Sequence, residues 1–186
     1  MKRFLDIIVS TSAIFLLFPL LVLVAFLVFS TSRGPIIYWS DRVGKGGQVF
    51  SMPKVRTMKS GTPAVATHLM LDAASALTPV GGFLRRTSLD EIPQLWSVLI
   101  GKMSLVGPRP ALFNQIDLIA LRDAAGVSDL APGMTGWAQI NGRDELPIPA
   151  KVALDREYLE RRSLVFDLFI IAKTAAKILG DRTVTH

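Results

Sequence analysis

With 186 residues, half of them hydrophobic, a formal net charge of +6 and a sequence pI of about 10.0, the chain is long enough to bury a core and is biased toward anionic partners: nucleic acid, an acidic membrane surface or phosphorylated substrates. It has no cysteine and only two histidines, His68 and His186. Disulfide frameworks, thiolate nucleophiles, zinc–thiolate sites, His-based triads and multi-His metal sites are thereby excluded.

The chain opens with MKRFLDIIVSTSAIFLLFPLLVLVAFLVFSTSR, where Asp6 is the only charge between Phe4 and Phe29. As one helix this apolar stretch is about 39 Å long, enough to cross a bilayer core of about 30 Å. A cleaved signal peptide shares the basic start, but the apolar run is too long and no A-x-A-like site follows. Two readings stay open, a spanning helix and a re-entrant helix that enters and leaves by one face. Pro19 removes a backbone bond near the middle and favours a bend, although true spanning helices also tolerate proline. Lys2 and Arg3 before the segment, and Arg33, Arg42 and Lys45 after it, prefer the cytoplasmic side. A hairpin lets both flanks stay there.

IIYWSDRVGKGGQVFSMPKVRTM alternates apolar and polar residues around Gly44, Gly46 and Gly47, which predicts a β-hairpin with a glycine turn rather than a phosphate loop. Lys54 and Arg56, two apart, would share one face of its second strand, either as a solvated pair or as a phosphate site. Residues 60–80 predict a loop and a short helix.

LRRTSLDEIPQLWSVLIGKMSLVGPRP follows, with Asp90 and Glu91 between Arg85–Arg86 and a proline-flanked Arg109. Ser88 and Glu91 fit a capping box, so helix initiation is the plain structural account. With Ser88 as the cap, Pro93 would fall at the fifth helical position; a cap at Asp90 puts it at the third, where its missing N–H costs little. Either way Asp90 lies in or beside a first turn, where free N–H groups favour negative charge. The arginines offer forked donors suited to phosphate oxygens, and Pro110 restricts the backbone of Arg109. Two carboxylates in a basic, membrane-attached setting point to a phosphorylated lipid substrate and to acid–base or nucleophilic chemistry.

ALFNQIDLIALRDAA predicts a core-packing helix with Leu112, Phe113, Ile116, Ile119 and Ala120 on the buried face and Arg122 elsewhere. APGMTGWAQINGRDELPIP predicts a rigid irregular loop. In VALDREYLERRSLVFDLFIIAKTAAKIL, Phe166, Phe169, Ile170, Lys173 and Lys177 suit either a helix lying on a membrane surface or packing against the domain's own core. Trp39, Trp96 and Trp137 are scattered and expected in the core, not interleaved with basic residues as base stacking on nucleic acid requires.

The strings KRFLD, DRVGKGGQVFSMPKVRTM, RRTSLDEIPQLWSVLIGKMSLVGPRP, PGMTGWAQINGR and DREYLERRSLVFDLFII, in this order, resemble the bacterial sugar transferase family, the small monotopic phosphoglycosyl transferases of the PglC type. The resemblance implies a mixed α/β fold, mostly helical with a small β-hairpin. Residues 1–33 would form a re-entrant helix–break–helix at Pro19, and residues 34–186 a cytosolic catalytic domain with interfacial amphipathic helices. The expected home is the cytoplasmic face of a bacterial inner membrane. The implied reaction moves a sugar 1-phosphate from a UDP-sugar to a polyprenyl phosphate, releasing UMP through a covalent phosphosugar on an aspartate. Membrane lipids are the further implied partner and nucleic acid is not one. By the same resemblance Asp90 is the nucleophile and a Mg²⁺ contact, with Glu91 its partner. Lys54, Arg56, Arg85, Arg86, Arg109 and Arg143 are candidate phosphate ligands, and Gln139, Asn141, Asp155 and Tyr158 shape the site. Many relatives carry Ser-Pro where this chain has Phe18-Pro19. The competing reading is a non-catalytic membrane-attached module binding anionic lipid or nucleic acid.

Overall fold

Thirty residues, Lys2–Thr31, form one helix, α1, in the computed structural model, which describes residues 1–63, 72, 74–142 and 146–180. His68, His186 and Arg143 lie outside the described residues, as does most of the loop and short helix expected over 60–80. Helical structure continues through Pro19. The residues of α1 that meet the rest of the protein include Asp6, Ser10, Ala13, Ile14, Leu17, Leu20, Leu21, Val24 and Val28. Steps of three and four place them on one stripe. The remaining circumference, including Phe4, Ile8, Phe15, Leu16, Phe18, Leu23, Phe26 and Phe29, is apolar and bare. Among the described residues α1 is the one helix long and apolar enough to cross a membrane.

Both ends of α1 are fastened to the same body. Near the N-terminus Lys2 Nζ donates to Asp167 Oδ2 (2.6 Å), Val106 O (3.0 Å) and Tyr158 Oη (3.2 Å). Arg3 donates to Val98 O (2.5 Å) and Leu99 O (2.6 Å). Asp6 accepts from Ser104 Oγ (2.9 Å) and Leu105 N (3.0 Å). At the other end the buried Arg56 donates to Ser32 O (2.9 Å), Ser32 Oγ (2.8 Å) and Arg33 O, meeting carbonyls the helix leaves open. Gly34, at φ +115°, turns the chain against this guanidinium, and a Cβ there would lie 2.2 Å from Arg56 Nη1.

The expected hairpin is β1 (Ile37–Val43) and β2 (Val49–Val55), antiparallel with Val43 opposite Val49, and it turns through Lys45–Gly47. β1 also pairs with the short β4 (Ala111–Leu112), giving the order β2-β1-β4, while β3 (Ser104–Val106) and β5 (Gly133–Thr135) form a separate parallel pair. The helices are α2 (Gly81–Arg86), α3 (Gln94–Leu99), α4 (Ile116–Ala124), α5 (Trp137–Ile140), α6 (Ile148–Arg161) and α7 (Leu164–Gly180). The mixed, mostly helical fold with small sheets thus agrees with expectation. The largest core joins Phe50, Met52, Leu95, Val98, Met103, Leu105, Val106, Tyr158, Phe166 and Ile170. A second joins Val24 and Val28 of α1 to Val55 and Leu84.

Four sequence expectations are corrected. No capping box forms, because Ser88 takes a left-handed conformation (φ 55°, ψ 18°) and its side chain caps nothing. The buried face of α4 carries Leu118 and Arg122, whereas Phe113 and Ile116 are exposed; a buried guanidinium won the position an apolar stripe was expected to hold. The stretch 131–149, expected as an irregular loop, contains β5 and α5, because Gly133–Thr135 finds β3 as a parallel partner. Of the two readings left open for the C-terminal stretch, core packing holds for Phe166 and Ile170, while Val165, Leu168 and Phe169 of α7 face outward. Trp39 and Trp96 are more than half exposed rather than buried, at 56% and 53%.

Arg56→Ala would leave the Ser32 and Arg33 carbonyls, just past the end of α1, without this donor. Hydrogen bonds to a charged group contribute about 1.5–3 kcal/mol, so the variant should unfold at lower temperature. Limited trypsinolysis should detect faster cleavage after Arg33.

Candidate active site

The site is assembled from three segments that the sheets and helices bring together. β2 ends on Lys54. The turn after α2 reverses at Ser88, the one non-glycine residue at positive φ among those described, and passes into a single 3-10 turn, Leu89–Glu91. Such strain persists only where surrounding structure holds it, and here it precedes two carboxylates. Arg109 comes from the link between β3 and β4, fenced by Pro108 and Pro110.

Glu91 Oε1 lies 3.1 Å from Lys54 Nζ and 3.6 Å from Arg109 Nη1. These three residues line a cleft with Arg42, Met52, Gln94, Pro110 and Gly133. Asp90 is buried beside them, and loss of water pushes its pKa up to about 6. Lys54 opposes that rise, the neighbouring Glu91 adds to it, and Arg85 and Arg109 oppose it. Arg85, itself held by an Nε bond to Thr57 Oγ1 (2.9 Å), has its guanidinium pKa lowered by burial against the pull of Asp90. At neutral pH the Asp90 carboxylate is therefore mostly ionised yet poorly hydrated, among cations that can also take an anion. That is a setting for a nucleophile and a phosphate.

The structure thus gathers Asp90, Glu91, Lys54, Arg85 and Arg109. Arg56, expected on the same face as Lys54, lies just beyond the end of β2 and is taken up by the end of α1. Arg86 is exposed on α2. Asn141 is exposed and donates to Trp137 O (2.8 Å). Gln139 is buried and donates to Met134 O (3.0 Å), with its Oε1 unpartnered. Tyr158 belongs to the Lys2 anchor, donating to Asp167 Oδ1 (2.7 Å) and Val106 O (3.2 Å); burial and the Asp167 carboxylate raise its pKa. Asp155 stands behind the site. Both Nε (2.9 Å) and Nη2 (2.6 Å) of the buried Arg122 bond to its Oδ2, and Arg122 Nη1 donates to Arg109 O (2.8 Å).

Sequence reasoning overlooked Arg122, Arg42 and Gln94. Arg42 reaches Ser40 Oγ (3.0 Å) and Pro110 O (3.1 Å), helping to hold the strand start beside Arg109. Its place in the alternation of β1 was a usable signal; the polar Arg122, read as solvent-facing on α4, offered none. Among the described residues no three Asp, Glu or His converge as a cation cage.

The profile of a family described as bacterial sugar transferase matches residues 1–181. The exopolysaccharide production protein ExoY of Sinorhizobium fredii is 36% identical over 198 residues, covering 97% of this chain and 86% of its own. A UDP-glucose:undecaprenyl-phosphate glucose-1-phosphate transferase of Xanthomonas campestris is 37% identical over 190 residues, covering 98% of this chain and 39% of its own. An undecaprenyl-phosphate galactose phosphotransferase of Salmonella typhimurium is 34% identical over 196 residues, covering 96% and 40%. The chain spans most of the ExoY protein and about two fifths of the other two.

The raised pKa of Asp90 has a stability consequence of definite sign. Between the unfolded value near 3.8 and the folded value of about 6, the native state binds more protons than the unfolded chain. Stability therefore falls as pH rises through that window. Asp90→Asn should unfold at higher temperature than the wild type above pH 6, with the difference vanishing below pH 4, as followed by thermal melts across pH. Asp155→Ala leaves Arg122 as an unpaired buried charge and should cost about 3–5 kcal/mol in denaturant titrations.

Proposed function

The chain belongs to the bacterial sugar transferase family, and from that premise we propose that it transfers a sugar 1-phosphate from a UDP-sugar to a polyprenyl phosphate such as undecaprenyl phosphate. The observation that carries this reading is the buried Asp90 carboxylate, raised in pKa, beside Glu91 and among Lys54, Arg85 and Arg109. A module that only binds lipid would have no use for a desolvated carboxylate on a strained turn.

An Asp90 oxygen attacks the phosphorus that bears the sugar. The bond from that phosphorus to the bridging oxygen breaks, and UMP leaves with the electron pair. The polyprenyl phosphate oxygen then attacks the same phosphorus, restoring the Asp90 carboxylate and forming the polyprenyl-diphosphate sugar. Two displacements replace one, each with a pre-positioned nucleophile. Lys54, Arg85 and Arg109 neutralise charge that spreads over the phosphoryl oxygens. Glu91, held between Lys54 and Arg109, keeps both cations aimed into the cleft before a phosphate arrives. The carboxylate pair fits Mg²⁺ in the mode that takes one or two carboxylates plus substrate phosphates, with Asp90 as the protein contact. Such an ion would supply further neutralisation of the diphosphate.

The same reading places the protein on the cytoplasmic face of a bacterial inner membrane, with α1 re-entrant at Pro19. Attachment of both helix ends to one domain supports it, since a spanning helix would part them. Trp96, Ile100 and Phe83, and Val165, Leu168 and Phe169 with Lys173 on α7, are exposed and suit the headgroup boundary.

A panel of UDP-sugars with undecaprenyl phosphate and Mg²⁺ should release UMP with at least one member, and Asp90→Asn should abolish release while staying membrane-bound. Intact-mass analysis after UDP-sugar alone should find the phosphosugar on Asp90; an adduct elsewhere would sink the mechanism. Because attack needs ionised Asp90, the rate should fall about tenfold per pH unit below pH 6 and level off above it. Cysteines at an N-terminal extension and at Arg33 should label from the same side of the membrane.

A further inference from the structure

The apolar run of α1 carries one charge, Asp6, and the reaction outlined above does not use it. Asp6 is 4% exposed, and both its oxygens are engaged by β3, through Ser104 Oγ at 2.9 Å and Leu105 N at 3.0 Å. β3 has a strand partner, β5, on one edge only. A carboxylate on α1 takes a backbone donor of β3 that no strand meets, and Lys2 Nζ meets Val106 O at 3.0 Å. The membrane helix thus stands in for a missing strand. A buried carboxylate is costly unless its hydrogen bonds are met. An apolar side chain at this position would leave Leu105 N and Ser104 Oγ buried without this acceptor.

We propose that Asp6 is a positioning residue for Arg109, so that the seating of α1 sets the arginine that receives phosphate. This rests on the reading of Arg109 as a phosphate ligand. The link between the two is short and stiff. β3 runs directly into Gly107-Pro108-Arg109. Gly107 N donates to Thr135 O (2.9 Å), and Gly133 N donates to Pro108 O (2.8 Å). A Cβ at Gly107 would lie 2.4 Å from Ala131 O, and one at Gly136 would lie 2.1 Å from Gly107 O, so the backbone here has no room to yield. Beyond it, Arg122 grips Arg109 O from the far side. Arg109 is therefore held between a carboxylate on the membrane helix and the Arg122–Asp155 pair on α4 and α6. A shift of α1 relative to the domain is passed to Arg109 through a few residues that cannot bend.

A double-mutant cycle separates positioning from mere stabilisation. UMP release by the full chain in lipid nanodiscs is measured as kcat and KM for wild type, Asp6→Ala, Arg109→Lys and the double variant. A misplacement of about 1 Å can cost up to a hundredfold, so Asp6→Ala should lose about tenfold or more in kcat/KM. If Asp6 acts through Arg109, the double variant should match Arg109→Lys alone within about twofold. Losses that multiply while Arg109→Lys is itself impaired would overturn the positioning role and leave the phosphate-ligand reading standing. Full activity in Arg109→Lys and Arg109→Ala would overturn both. Asp6→Asn should recover most of the activity, because its carbonyl can still accept from Leu105 N and its amide can donate to Ser104 Oγ; failure of that rescue in a folded protein also counts against the proposal. Should Asp6→Ala not fold, Ser104→Ala replaces it in the cycle, with a smaller loss that must again vanish on the Arg109→Lys background.

Discussion

A charge taken out of water has to be answered by other groups, and the way this protein answers each of its buried charges determines where everything else goes. Arg122 is met by Asp155 and by a backbone carbonyl, and Asp6 by a hydroxyl and an amide. Arg56 is met by the end of a helix, and Asp167 by a lysine and a tyrosine. These pairings join different elements, several of them far apart in the chain, so the polar contacts act as registration points between elements whose apolar packing alone would allow sliding. For Asp90 the balance falls differently. Its cations do not offset the lost hydration, and its pKa stands at about 6. In the proposed mechanism, the hydration withheld from that carboxylate would favour its attack on phosphorus.

α1 is more than an anchor in this scheme. It contributes Val24 and Val28 to one core and packs Leu5, Ala13, Ile14 and Leu17 against another, so the domain's own interior is incomplete without it. Its bare apolar side and its docked stripe lie on one helix, which ties depth in the lipid to the position of the domain. For the proposed reaction, with a lipid phosphate as acceptor, that arrangement would hold the reacting groups near the headgroups.

Much of this was legible in the residues themselves. The apolar run, the glycine-turned hairpin, the Asp90–Glu91 pair and the proline-fenced Arg109 all depend on short-range rules of periodicity, turn chemistry and backbone restriction. Where the reading failed, a local rule met a tertiary competitor. Ser88 fits a capping box, yet the turn delivering Asp90 forces it to positive φ. Arg122 reads as a solvent-facing residue on α4, yet Asp155 on α6 takes it inside. The stretch 131–149 reads as an irregular loop, yet β3 draws Gly133–Thr135 into a parallel pair and a turn of helix follows at Trp137–Ile140.

The sequence by itself determined the long N-terminal helix, the β1–β2 hairpin and the helix at α4, where the apolar surface is concentrated, and which charged groups stand side by side in the chain; the short strands β3, β4 and β5 were not among them, because each exists only through its partner. It could not determine which charges meet across the fold. Lys2 and Asp167 are 165 positions apart, and Lys54 and Arg56, two apart, go to different partners: one to Glu91, the other to the end of α1. Periodicity assigns a side chain to a face; only the packing of elements decides what lies opposite that face. The buried ion pairs, the raised pKa of Asp90 and the connection from Asp6 to Arg109 all arise at that second level, because each depends on the loss of water that packing brings.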